Sequence, residues 1–299
     1  MRTLSSRIHK LHHFPNEGVQ CFVKRDDESG CGISGSKLRK YSSIVPYLLA
    51  KKITHLIIIA GPQSNNLLAA LQVARELQLC ITVFLLKPHV EGVQGNYKLS
   101  RLFLEEREII WVERKEWPQV EVLAQSYLKS LDQSGYILTE GSSVLEALPG
   151  AMTLGDDIVT NEIENNITFD HIFVDAGTGF TAIALINRLH QLKHRALIHV
   201  LLLADKKDLF EAKLKQWVSE PIERYECFYP TNAKSFGSVN QTIKNEVKRM
   251  AREEGILADP IYAAKLFYEA RIRIESLHLK GKVLIIHSGG TLTMPAFDY

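Results

Sequence analysis

Residues 54–79, THLIIIAGPQSNNLLAALQVARELQL, contain a complete architectural unit. The run THLIIIAG is a short, continuous apolar segment of β-branched residues, the pattern of a strand covered on both faces. GPQSNN breaks it with turn formers. SNNLLAALQVARELQL then carries apolar residues at helical spacing, with a serine at its start as a candidate cap. A fully buried strand followed at once by a helix belongs to a parallel sheet.

The same unit recurs outward in both directions. CITVFLL (80–86), REIIWVE (107–113), GYILTEG (135–141), HIFVDAGTG (171–179), ALIHVLLLA (196–204) and VLIIHSGG (283–290) read as strands. GNYKLSRLFLEE (95–106), WPQVEVLAQSYLKSLDQ (117–133, proline in its first turn) and FTAIALINRLHQL (180–192) read as the helices between them. No internal repeat and no Pro/Gly/Ser-rich linker interrupts the alternation.

Composition narrows the function classes. The chain has 299 residues, 45% apolar and 23% charged, ordinary values for a globular protein of one large or two medium domains. A net charge of +2 gives no basic surface for nucleic acid. No apolar run is long enough to span a bilayer, and none follows the mildly basic N-terminus as a signal peptide requires. Cys21, Cys31, Cys80 and Cys227 are dispersed and form no CxxC pair, which points to a reducing cytoplasm and no structural zinc. HKLHH (9–13) reads as a solvated segment, and no metal is expected.

Ligands of open parallel sheets sit beyond the carboxyl ends of the strands. Three loops there carry polar chemistry. GPQSNN (61–66) offers two asparagines beyond the cap Ser64. DAGTGFT (175–181) combines Gly177 and Gly179, which let a ligand approach the backbone, with Thr178, Thr181 and a helix N-terminus, a cradle for phosphate. It matches neither GxxxxGKS nor GxGxxG, so nucleotides are not indicated. HSGG (287–290) is a tight turn with an imidazole and a hydroxyl.

A fourth segment, SGSKLRK (34–40), places Lys37 at a helix start, where the dipole disfavours a cation. An amine behind a Gly-rich turn, together with a phosphate cradle, suits a phosphate-bearing aldehyde, pyridoxal 5'-phosphate.

These segments resemble the 1-aminocyclopropane-1-carboxylate deaminase and D-cysteine desulfhydrase family, within the tryptophan synthase beta-like pyridoxal-phosphate enzymes. The likeness runs in order through VKRDDESG…GSKLRK, QSNN, YILTEGSS, DAGTGFT, EEGILADPIYAAK and LIIHSGG. The resemblance implies an α/β protein of fold type II, with two open, mostly parallel domains and the cofactor between them. The smaller would cover 46–155 and the larger 1–45 with 156–299. It implies Lys37 as the cofactor-holding, catalytic lysine. Ser64 would lie near the substrate and Asn65 on the cofactor ring hydroxyl. The backbone of Gly177, Thr178 and Gly179, with the Thr181 hydroxyl, would hold the phosphate. Tyr262 would be a catalytic residue at the cofactor face. A homodimer and a small amino-acid substrate are implied as well.

The sequence departs from the family at four places. Ala263 stands where deaminases carry an acid that contacts the ring nitrogen and desulfhydrases usually a hydroxyl. Phe236 replaces a second tyrosine, Ser34-Gly35-Ser36 replaces Gly-Gly-Asn, and Phe180 replaces a glycine. Ser288 is the candidate left for the ring nitrogen. The expected activity is D-cysteine desulfhydrase-like β-elimination to a 2-oxo acid and ammonia. The alternatives are cyclopropane deamination, a cofactor-binding member without turnover, and a phosphosugar-binding protein without pyridoxal.

Overall fold

The computed structural model describes residues 4–15, 17–30, 33, 35–88, 95–218 and 220–299; Cys31 and Ser34 lie outside them. In chain order the elements are β1 (Ile8–Lys10), β2 (Val19–Arg25), α1 (Ser36–Ala50), β3 (His55–Ala60), α2 (Asn65–Glu76), β4 (Cys80–Leu86) and α3 (Gly95–Ser100). Then come β5 (Ile109–Val112), α4 (Val120–Ser130), β6 (Gly135–Leu138), α5 (Leu148–Asn165), β7 (His171–Ala176), α6 (Phe180–Gln191) and β8 (Leu197–Leu202). The chain closes with α7 (Lys207–Trp217), β9 (Tyr225–Phe228), α8 (Gln241–Glu254), α9 (Ala263–Ser276) and β10 (Gly281–His287).

The strands form two sheets, β1-β2-β10-β7-β8-β9 and β5-β4-β3-β6. Every pairing is parallel except β1 with β2. All six residues of β3 are buried, as are the last five of both β7 and β10. Helices cover both faces, as the unbroken Ile/Leu/Val runs require. The reading of 95–106 as one helix is corrected: α3 ends at Ser100. The chain turns there, so that Leu104 enters the core while Leu102 stays 81% exposed.

Strand order places the loops. In the larger sheet, β7, β8 and β9 run outward in one direction, and β10 and β2 lie on the other side of β7. Connections therefore diverge at β7/β10, which puts the turns 175–181 and 287–290 at the point where ligands of open parallel sheets bind. In the smaller sheet β3, β4 and β5 run one way and β6 lies on the other side. The connections of this sheet diverge between β3 and β6.

Candidate active site

The first turn of α1 is built against the turn after β10. Gly35 has φ +64°, and a Cβ there would fall 2.0 Å from the Ser288 carbonyl oxygen, so glycine is required. The Ser36 N–H donates to that same carbonyl at 3.0 Å. Backbone thus replaces the usual side-chain cap, and Lys37 and Ser288 are fixed in one unit. The half-buried Lys37 Nζ stands 5.9 Å from the centre of the Tyr262 ring.

Tyr262 precedes α9 and is set by Asp259, whose carboxylate accepts from the N–H groups of Ile261, Tyr262 and Ala263 at 3.0, 2.9 and 3.0 Å. Its ring closes over the cradle: a Cβ on Gly177 would come within 3.0 Å of it. Burial, reinforced by Asp175, pushes its hydroxyl well above the usual phenol range. Phe236, 54% exposed, meets the same ring edge-on at 5.9 Å. Ala263 is fully buried in the apolar core and hydrogen-bonded to Asp259.

Gly177, Thr178, Gly179 and Thr181 bring β7 to the start of α6. Gly179, at φ +84°, is the N-cap and supplies no side chain, so the first N–H groups of α6 carry no side-chain cap. Among the described residues the Thr181 hydroxyl has no hydrogen-bond partner. Thr178 accepts from Ser143 Oγ at 3.3 Å, which ties this turn to the loop after β6. A Cβ on Gly141 would strike the Thr178 side chain at 2.8 Å, so the two sheets meet at these loops.

Ser64 caps α2, accepting from Asn66 and Leu67 N–H at 3.1 and 3.2 Å. Asn65 Oδ1 accepts from Asn96 at 2.7 Å, and its Nδ2 points to Gly290, where a Cβ would lie 3.0 Å away. The residues named from sequence therefore fall into two groups. Lys37, Tyr262, Ser288 and the Gly177–Thr181 turn are joined by the contacts above. Asn65 reaches this group through Gly290, whereas the Ser64 oxygen is engaged within its own helix.

Two residues escaped the sequence reading. Lys40 is buried, donates to the Gly141 carbonyl at 2.9 Å and lies 4.9 Å over the Phe180 ring. Burial and then Lys37 push its amine down to about 7. Its spacing was the available signal, because i and i+3 share a helix face. Asp175 is buried at the end of β7, and Ser288 Oγ donates to its Oδ1 at 2.9 Å. It stands inside the quoted DAGTGFT, but only proximity to β10 reveals what it meets.

A family model described as pyridoxal-phosphate dependent enzyme matches residues 5–289. The chain is 27% identical to the bifunctional D-cysteine desulfhydrase/1-aminocyclopropane-1-carboxylate deaminase, mitochondrial, of Arabidopsis thaliana, over 98% of this chain and 80% of that protein. It is 27% identical to a D-cysteine desulfhydrase of Yersinia pestis, over 94% of this chain and 89% of the relative. The solved structure of an ACC deaminase homologue shares the fold with a TM-score of 0.83 at 23% identity, covering 97% of this chain and 91% of that one.

Proposed function

The chain belongs to the pyridoxal-phosphate-dependent enzymes, and from that premise we propose that it is a lyase or deaminase of a small amino acid. The reaction favoured is D-cysteine desulfhydrase-like β-elimination, which with one water releases hydrogen sulfide, ammonia and a 2-oxo acid. One observation carries the reading: Lys37, Tyr262 and the Gly177–Thr181 turn, distant in sequence, converge at the carboxyl ends of the strands.

The residues present fit the cofactor. A half-buried amine, an uncapped helix start behind two glycines and a polar turn opposite them match its aldehyde, phosphate and ring. When bound, the cofactor supplies the electron sink that stabilises charge at the substrate α carbon. Lys37 would hold the aldehyde carbon, and its amine would serve as the base for the α proton. The N–H groups at Gly177, Thr178 and Gly179 and the Thr181 hydroxyl would hold phosphate, whose charge would favour the ammonium form of Lys40 nearby. Asn65 takes the ring hydroxyl and Ser288 the ring nitrogen. Tyr262 covers the face where substrate enters, and Ser64 lies on the substrate side. Elimination is favoured over cyclopropane opening because Phe236 carries no hydroxyl.

In this reading residues 46–155 form the smaller unit, supported by the four-stranded sheet drawn from 55–138. The rest forms the larger unit, and the enzyme works as a cytoplasmic homodimer. The cytoplasmic setting is supported by the free thiols of Cys21, Cys80 and Cys227, and the dimer by the family resemblance.

The test is direct. Purified protein should absorb visible light, and borohydride should fix the cofactor on Lys37. Lys37→Ala should lose both while keeping its far-UV circular dichroism. A covalent adduct persisting in Lys37→Ala would overturn the assignment. Formation of 2-oxo acid from D-cysteine, L-cysteine, D-serine and the cyclopropane amino acid then ranks the reactions. Bound cofactor with none of them turned over would favour the binding protein.

A further inference from the structure

We propose that Asp175 fixes the Ser288 hydroxyl as a hydrogen-bond acceptor, so that the cofactor ring nitrogen is held protonated by a Ser288–Asp175 relay, in place of the acid missing at position 263. This rests on the reading of Ser288 as the partner of that nitrogen.

The geometry is specific. Asp175 is the penultimate residue of β7, and Ser288 directly follows β10, the strand beside it. Both are buried, and Ser288 Oγ lies 2.9 Å from Asp175 Oδ1. An ionised carboxylate only accepts, and a hydroxyl has a single proton to give. With Asp175 ionised, the bond runs from the hydroxyl to the carboxylate, at 2.9 Å. With its proton committed to Asp175, Ser288 meets any further partner through its oxygen lone pairs. An acceptor at the ring nitrogen favours N–H⁺ over bare N. A lone serine can serve either form, so the carboxylate decides between them.

Burial leaves the Asp175 carboxyl above its usual range, so the relay needs a cation to hold it ionised. Burial pushes its carboxyl upward; Lys37, the Ser288 bond and His287 pull it down. Asp259 and Tyr262 also face this region, and Lys40 lies within electrostatic reach. Once Lys37 is engaged covalently, its cation no longer compensates the buried carboxylate. A protonated ring nitrogen, one hydroxyl away, restores that compensation. Asp175 is thus a positioning residue: it touches Ser288, and Ser288 touches the ring. The charge would thus arrive from β7 rather than from α9, whose first residue is Ala263.

The experiment reads the nitrogen itself. Apoprotein is reconstituted with pyridoxal phosphate labelled with ¹⁵N in the ring, and the ¹⁵N resonance is recorded for wild type, Asp175→Asn and Ser288→Ala. The expected wild-type signal lies in the pyridinium range. Both variants should move to the neutral pyridine range. The amide introduced by Asp175→Asn can donate to the Ser288 oxygen, and Ser288→Ala removes that oxygen altogether. A neutral nitrogen in wild type overturns the proposal, because the proton then resides on Asp175. A pyridinium signal surviving in either variant overturns it too. Should Asp175→Asn fail to fold, the wild-type and Ser288→Ala spectra decide. Visible absorbance distinguishes the two levels of failure: wild type without the absorbance of lysine-bound cofactor sinks the functional reading, whereas normal absorbance with an unprotonated nitrogen sinks only the relay.

Discussion

Two buried constellations of charge lie on opposite sides of α1, and they are built by opposite rules. In the first, Lys24 Nζ meets Asp157 Oδ2 at 2.6 Å, Asn161 Oδ1 at 2.5 Å and the Ser6 carbonyl at 2.6 Å. Arg39 grips Asp26 through two bonds of 2.7 Å and reaches Asp157 at 2.5 Å. Burial alone would push Asp26 up, but Arg39 outweighs it and the carboxyl is held below its usual range. Each of these charges has an opposite charge in contact. In the second constellation Lys37, Lys40 and Asp175 share the candidate site with no ion pair between them among the described residues. Lys40 and Asp175 are even pushed toward their neutral forms, chiefly by burial.

The difference separates scaffold from site. A closed network needs no further partner and holds its elements rigidly. An open one is costly until a ligand brings the missing charges. The two are linked by helix geometry. Lys37 and Lys40 share one face of α1, whereas Arg39, two residues from Lys37, points elsewhere. The closed cluster therefore anchors the helix that presents the open one.

The largest expected effect comes from breaking the closed cluster. Arg39→Met strands the buried Asp26 carboxylate, leaves Asp157 with Lys24 alone, and should lower the unfolding free energy by about 3–5 kcal/mol, read by chemical denaturation. A loss below about 1 kcal/mol would erase the distinction between scaffold and site. Next is Thr181→Val, in the open region. It should weaken cofactor binding by roughly ten- to hundredfold, about 1.5–3 kcal/mol, in titrations of apoprotein, with turnover unchanged at saturating cofactor. Equal affinities would separate Thr181 from the phosphate.

Lys40 sharpens the comparison through pH. Its folded pKa, about 7, lies below the unfolded lysine value of about 10.4. Between these values the unfolded chain binds a proton that the folded apoprotein does not. Stability should therefore rise with pH across that window, by at most about 1.4 kcal/mol per pH unit. Lys40→Met should flatten the profile between pH 7 and 9; an identical slope in the variant would show that Lys40 is not the group responsible. The smallest effect is expected for Lys37→Ala, which removes no paired charge and should change apoprotein stability by less than about 0.5 kcal/mol. A large loss there would mean that the open region also serves as scaffold.

Much of this was legible in the linear order of residues. The unbroken apolar runs that became β3, β4, β7, β8 and β10 show local periodicity, and their alternation with helices specifies parallel sheets. The functional loops stood out because glycines, hydroxyls and an amine cluster where strands end. Lys37 stood out by violating helix electrostatics. The N-terminal strands β1 and β2 lacked this prominence, being an antiparallel edge pair with the mixed residues of IHK and VQCFVKR. The end of α3 was decided by packing at Leu104, which no local pattern shows.

Strand order itself was beyond local reading. Hydrophobic periodicity says that a strand is buried on both faces, not which strand lies beside it. Only the placement of β10 between β2 and β7 brings Ser288 to Asp175, and only the meeting of the two sheets brings Lys40 to Gly141. Those contacts span 113 and 101 residues of chain. They arise where the folded backbone closes, so the sequence determined which chemical groups exist and the tertiary structure determined which of them share a charge.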